Sequence, residues 1–179
     1  ICPSGHDNFC GHRYDGQYGQ LPQGYDHKYV YSHFGYNLKV TDLQAAVGVE
    51  QLKKFPSFIE RRRHNWERLH KALECIQDKI ILPEPAENSR PSWFGFLISV
   101  RPETGIERNK VTRYIEEHNV QTRLLFSGNI IKHPCFDQIR DTDAYRVSGD
   151  LSVTEFIMNN TFWVGVYPGM TDAMIDYMA

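Results

Sequence analysis

No apolar run in this chain approaches the roughly 18 to 20 residues that a helix needs to cross a bilayer, and no cleavable signal opens it. The sequence therefore predicts neither a membrane span nor export, and the cytoplasm is the default compartment. Charge of one sign is scarce as well. Twenty Lys and Arg stand against 22 Asp and Glu, a formal net charge of -2, which argues against a nucleic-acid surface. The one basic run, Arg61 to Arg63 with His64, is flanked by Glu60 and Glu67 and reads as a solvated helix face. Cysteine is sparse at four residues, and a disulfide is unattractive where thiols stay reduced. No repeat or low-complexity tract appears. An initiating methionine is missing too: Ile1-Cys2-Pro3 falls within what should be a loop, so the chain reads as a fragment. What is present, 179 residues at 41% hydrophobic and 23% charged, suffices for one ordinary globular core.

Residues 1–36 are rich in Gly, Tyr, His and Asp, predicting loops with at most a short strand around Lys28 to Ser32. From Asp42 to Lys54, Leu43, Ala46, Val47, Val49 and Leu52 recur at helical spacing, and Pro56 is expected to end that helix and begin a second. The second should run from Ser57 to Ile76 with Ile59, Trp66, Leu69, Leu73 and Ile76 on its buried side. PEPAENSRP at 83–91 cannot continue a helix and marks a boundary. Beyond it the pattern predicts strands at Trp93 to Val100, Val120 to Phe126 and Phe162 to Val166. Helices are predicted at Asn109 to His118, Ser152 to Asn159 and Thr171 to Met178. Strands alternating with helices indicate an α/β or α+β layer.

Two places suggest chemistry. Cys2 and Cys10, separated by seven residues with His6 and Asp7 between them, offer soft ligands for a metal, and His6 with His12 would make a zinc set the alternative. Cys75 and Cys135 have no matching partners and read as small packing residues. The second place is the junction YSHFGYNLKVTDLQAAVGVEQL at 31–52. Gly35 permits an unusual turn, Asn37 offers a compact amide, and Thr41 with Gln44 forms a capping box that starts a helix. Asn37 either meets an anion at that corner, such as a phosphate, or holds its own turn.

The stretch GYNLKVTDLQAAVGVEQLKK resembles the GYNxRMTDxQAAxGxxQL signature of the DegT/DnrJ/EryC1/StrS group of pyridoxal-phosphate sugar enzymes. The neighbouring GYDHKYVYSHFGYN, PSWFGF at 91–96, TRLLFSGN at 122–129 and TFWVGVYPGMT at 161–171 resemble its CDP-4-keto-6-deoxyglucose 3-dehydrase branch, the RfbH type of lipopolysaccharide biosynthesis. The likeness runs over nearly the whole chain.

That resemblance implies the C-terminal part of a fold-type I transferase, α/β in class. Residues 1–36 would end the large cofactor-binding domain with its iron-sulfur loop, 37–82 would be connecting helices, and 83–179 a small α/β domain. It further implies a pyridoxamine or pyridoxal 5'-phosphate cofactor, a CDP-hexose substrate, a homodimer with a shared active site and an electron-donating reductase. Cys2 and Cys10 match the last two of four cysteines that hold a 2Fe-2S cluster, while the catalytic histidine and the other ligands are expected before Ile1. Asn37 would reach the cofactor phosphate of the neighbouring subunit. Lys39 stands where the group has Arg and loses the planar fork. Tyr36 and His33 flank the turn as candidate substrate contacts. Phe94, then Trp93, are expected to face the site beside Gly95, which lets something approach the backbone. Arg123, a charge in an apolar strand, must be paired or point into a cleft, where a nucleotide diphosphate would satisfy it. The alternatives are a sugar aminotransferase of the same group, or a binding and assembly module without catalysis.

Overall fold

The computed structural model describes residues 11–36 and 38–179, so Cys2, Cys10 and Asn37 lie outside the described residues. The chain divides into two units, one ending at Val47 and one running Gly48–Ala179.

In the first unit, Arg13 donates from Nε and Nη2 to Asp26 Oδ2 at 2.9 and 2.6 Å. Hydrogen bonding from Arg13 holds the Asp26 carboxyl below its ordinary range. The other Asp26 oxygen accepts from the Lys28 amide at 3.1 Å and starts a 3-10 turn, His27–Tyr29. The strand expected around Lys28 is therefore a carboxylate-capped turn. The predicted capping box is present: the Thr41 amide donates to Gln44 Oε1 at 3.0 Å and the Gln44 amide to Thr41 Oγ1 at 3.3 Å.

This box opens helix α1, Asp42–Leu73, a single element of 32 residues that passes straight through Pro56. Two helices were expected there. Proline removes one main-chain bond and crowds the preceding turn at a cost of about 3 kcal/mol. Yet Lys53 and Lys54 before it and Glu60 and Arg61 after it are good helix formers, and the Ser57 hydroxyl donates to the Lys54 carbonyl at 2.7 Å. Good helix formers on both flanks outweigh the local defect.

In the second unit, strands β1 (Ile80–Ile81), β2 (Gly95–Val100), β3 (Thr122–Leu124) and β4 (Thr161–Gly165) form a sheet of order β1-β2-β4-β3. All three pairings are antiparallel. Helices α2 (Arg108–Glu117), α3 (Ser152–Asn160) and α4 (Asp172–Met178) complete a mixed α/β unit. Alternation decides the core face: Phe96, Ile98 and Val100 of β2, with Phe162 and Val164 of β4, are buried against Trp66, Leu69 and Leu73 of α1.

Polar groups fasten α1 to α4. Arg61 donates to Asp172 Oδ1 at 2.7 Å and to the Met170 carbonyl, His64 approaches the same carboxylate at 3.1 Å, and Arg68 reaches Asp176 at 2.6 Å. The Arg61 hydrogen bond holds the Asp172 carboxyl below its usual range. Fully buried Asn65 donates to the Tyr167 carbonyl at 2.9 Å. Trp66 stacks on Trp93 with ring centres 4.3 Å apart and planes 4° from parallel.

Candidate substrate and cofactor site

Pairing of β4 between β2 and β3 sets Trp163 opposite Leu97 on one side and Arg123 on the other. Gly95 lies on the same face, two residues from Leu97. A Cβ there would come within 2.5 Å of the Trp163 ring, so the glycine is needed for the indole to lie over the strand. What approaches this backbone is a side chain of the same chain. Phe94 completes the arrangement, its ring centre 5.1 Å from that of Trp163 at 51°, and remains 70% exposed. The Trp163 indole donates to the Leu124 carbonyl at 3.2 Å, which fixes the ring.

Arg123 and Trp163 border a cavity of about 690 Å³ shared with Gly165, Tyr167, Met174 and Tyr177. The Arg123 guanidinium donates to the Thr122 carbonyl at 3.3 Å and, with the Gln121 amide oxygen turned toward it, to Gln121 at 2.9 and 3.0 Å. Among the described residues no carboxylate reaches it within ion-pair distance. Its nearest acidic influence is Glu116, whose carboxyl is held low first by the Thr122 hydroxyl at 2.6 Å and only lastly by the Arg123 charge. The cation is thus free to meet an anion.

Two residues singled out in the sequence, Phe94 and Arg123, therefore converge on Trp163. The sequence reading did not single out Trp163 itself, although Gly95 and Gly165, strand partners around it, were the available signal. Trp93 goes the other way, into its stack on Trp66. Cys75 and Cys135 are exposed free thiols, not packing residues.

At the start of α1, the capping box consumes the Thr41 and Gln44 amides and leaves those of Asp42 and Leu43 in the first turn. The Asp42 carboxylate sits in that same turn and opposes an anion. Lys39 is exposed nearby in sequence, Tyr36 is exposed, and His33 Nδ1 lies 2.9 Å from Ser32 Oγ. A phosphate here fits two amides and needs further donors. Among the described residues no three His, Cys, Asp or Glu side chains are grouped to hold a metal ion.

The sequence model of the DegT/DnrJ/EryC1/StrS aminotransferase family matches residues 17–179. The chain belongs to this family. Within it, the lipopolysaccharide biosynthesis protein RfbH of Salmonella typhimurium is 48% identical over 177 residues, covering 99% of this chain and 40% of that protein. The dTDP-4-dehydro-2,6-dideoxy-D-glucose 3-dehydratase of Saccharopolyspora spinosa is also 48% identical over 177 residues, covering 99% of this chain and 37% of that protein. This DegT/DnrJ/EryC1/StrS chain thus spans about 40% of the length of these relatives. Among solved structures, the Escherichia coli GDP-4-keto-6-deoxy-D-mannose-3-dehydratase with bound hydrated PLP superposes with a TM-score of 0.69 at 26% identity, over 84% of this chain and 37% of that one. The aminotransferase from Psychrobacter cryohalolentis, at 18% identity and a TM-score of 0.71, shares the fold over 92% of this chain and 42% of that one. The architecture is accordingly part of a fold-type I PLP-dependent aminotransferase, mixed α/β in class.

Proposed function

We propose that the protein to which these residues belong is a nucleotide-sugar 3-dehydratase of lipopolysaccharide sugar synthesis. It would remove the C3 hydroxyl of CDP-4-keto-6-deoxyglucose, as the resemblance of its motifs implies. The observation that carries the reading is equal 48% identity, across 99% of the chain, to RfbH and to a named 3-dehydratase.

Pyridoxamine phosphate, when bound, supplies the electron sink that lets a C3 hydroxide depart. This chain's residues bind and orient. Arg123, in no ion pair among the described residues, takes a diphosphate oxygen. Phe94 and Trp163 lay a ring pair against the apolar side of the substrate and exclude water from it. Asn37, with the Asp42 and Leu43 amides, contributes donors to the cofactor phosphate of a neighbouring subunit in a homodimer. Tyr36 and His33 add polar contacts from the same turn. Cys2 and Cys10 supply two of the four thiolates of a 2Fe-2S cluster served by a reductase, the others coming from the rest of the protein. The division at 36/37 and 82/83 into domain end, connecting helices and small domain belongs to the same proposal.

The test uses the full-length protein with pyridoxamine phosphate, a reductase and CDP-4-keto-6-deoxyglucose. A 3-deoxy sugar is expected. Formation of a 4-amino sugar from glutamate would make the protein an aminotransferase. Neither product would leave a binding or assembly role.

A further inference from the structure

The loop that follows β3 contains Phe126 at φ 51°, a left-handed backbone that a bulky aromatic side chain disfavours. Leu151 shares positive φ at 56° but is half-buried at the N-cap of α3, and Asn88, Asn119 and Asp141 are residue types that tolerate it. Strain of this kind persists only where the surroundings enforce it, and here they do. The Phe126 amide donates to the Leu124 carbonyl at 2.7 Å, the same oxygen that accepts the Trp163 indole. His133 Nε2 lies 2.7 Å from the Ser127 carbonyl. Gly128, also at positive φ, packs so closely on Met158 that a Cβ would fall 2.6 Å from its Cγ. Buried Asn129 donates to Glu155, which also takes Lys132 at 2.7 Å. A loop fastened on both sides would be expected to bury its aromatic residue. Instead the Phe126 ring is 79% exposed.

The geometry points to Phe126 as a specificity-determining residue, whose backbone is pinned so that the ring projects outward to stack on a flat face of the nucleotide-sugar. This rests on the function proposed above and adds a contact to it. Arg123 stands three residues earlier in the same segment, and the shared Leu124 anchor ties the ring's backbone to Trp163. A backbone already anchored has little freedom left to lose on binding, so the ring's contact adds to affinity at a cost confined to its side-chain rotation.

The test is calorimetric titration of the full-length protein with CDP and with CDP-glucose, for the parent, Phe126→Ala, Phe126→Gly and Phe126→Tyr. CDP-glucose should bind about tenfold more weakly to the Ala and Gly variants and like the parent to the Tyr variant, which keeps a ring. The Gly variant, relieved of strain, should melt no lower than the parent. Weaker CDP binding as well would set the ring against the base, and unchanged CDP binding would set it against the sugar. Unchanged CDP-glucose affinity in the Ala and Gly variants, or weakened affinity accompanied by lowered melting in both, would overturn the assignment. A parent that binds neither probe would instead overturn the nucleotide-sugar reading on which it rests.

Discussion

Gly95 and Trp163 are one packing decision made at two positions 68 residues apart. Adding a methyl in Gly95→Ala must push the indole off the strand, and overpacking of this kind costs about 1–3 kcal/mol. The expected result is a lower denaturation midpoint together with altered tryptophan fluorescence; an unchanged emission spectrum would contradict the close approach. Asn37 belongs to this scale as well. If Asn37 donates to the cofactor phosphate as proposed, losing that amide should cost about 1.5–3 kcal/mol, so full-length Asn37→Ala should bind pyridoxamine phosphate about ten- to a hundredfold more weakly with its oligomeric state unchanged. A titration matching the parent would return Asn37 to a turn residue. Much at this scale was legible. Gly95 announced a close approach, and Arg123 announced a charge in need of a cleft. The identity of Gly95's neighbour was not, because a contact across 68 residues has no local signature. Asn65 was hidden for the same reason: its Tyr167 carbonyl lies 102 residues away.

Among the elements, period and capping carried most of the information. The helices α2, α3 and α4 begin and end within a residue of where spacing put them, and the Thr41 box opens α1 as its residue types required. Strands were overdrawn, since Trp93, Phe94 and Val120 continue an apolar pattern without continuing the ladder. Ile80–Ile81 was missed because two residues carry no period. Pro56 looks like a boundary in sequence because its cost is local, whereas the helix on both sides that outweighs it is not. Pro56→Ala should therefore restore a main-chain bond and stabilise α1 by up to about 3 kcal/mol, read as a higher melting temperature. A fall would mean that the proline itself is required at this position. The contact between α1 and α4 predicts a pH dependence. Asp172 has a depressed folded value, so its contribution is present above the unfolded carboxylate value of about 4 and is lost as pH falls through the lower folded one. Comparing parent and Asp172→Asn, the difference in melting temperature should be full from about pH 5 upward and shrink below about pH 4. A difference independent of pH would exclude the ion pairs with Arg61 and Arg68 as its source, leaving only neutral contacts.

At the scale of the molecule, the apolar stripe of α1 is bare. Leu43, Val47, Val49, Leu52 and Phe55 are exposed, as are Tyr31, Phe34 and Tyr36. Single exposed apolar residues are ordinary, but a run along one helix is the mark of a surface that something covers. The chain spans about 40% of its relatives' length. The purified 179-residue chain should accordingly show no turnover of CDP-4-keto-6-deoxyglucose when cofactor and reductase are supplied. Measurable product would mean that these residues hold a complete site.

The three tryptophans also give the protein an internal optical system. Trp66 and Trp93 are stacked face to face, with His70 against Trp66 at 4.9 Å, so their emission should respond to whether the segment before β2 stays docked on α1. Trp163 sits alone among them beside Phe94 and the Arg123 cavity. Replacing Trp66 and Trp93 with Phe would leave Trp163 as the single tryptophan of these 179 residues, at the candidate site. Ligand arrival could then be followed in real time without attaching a dye.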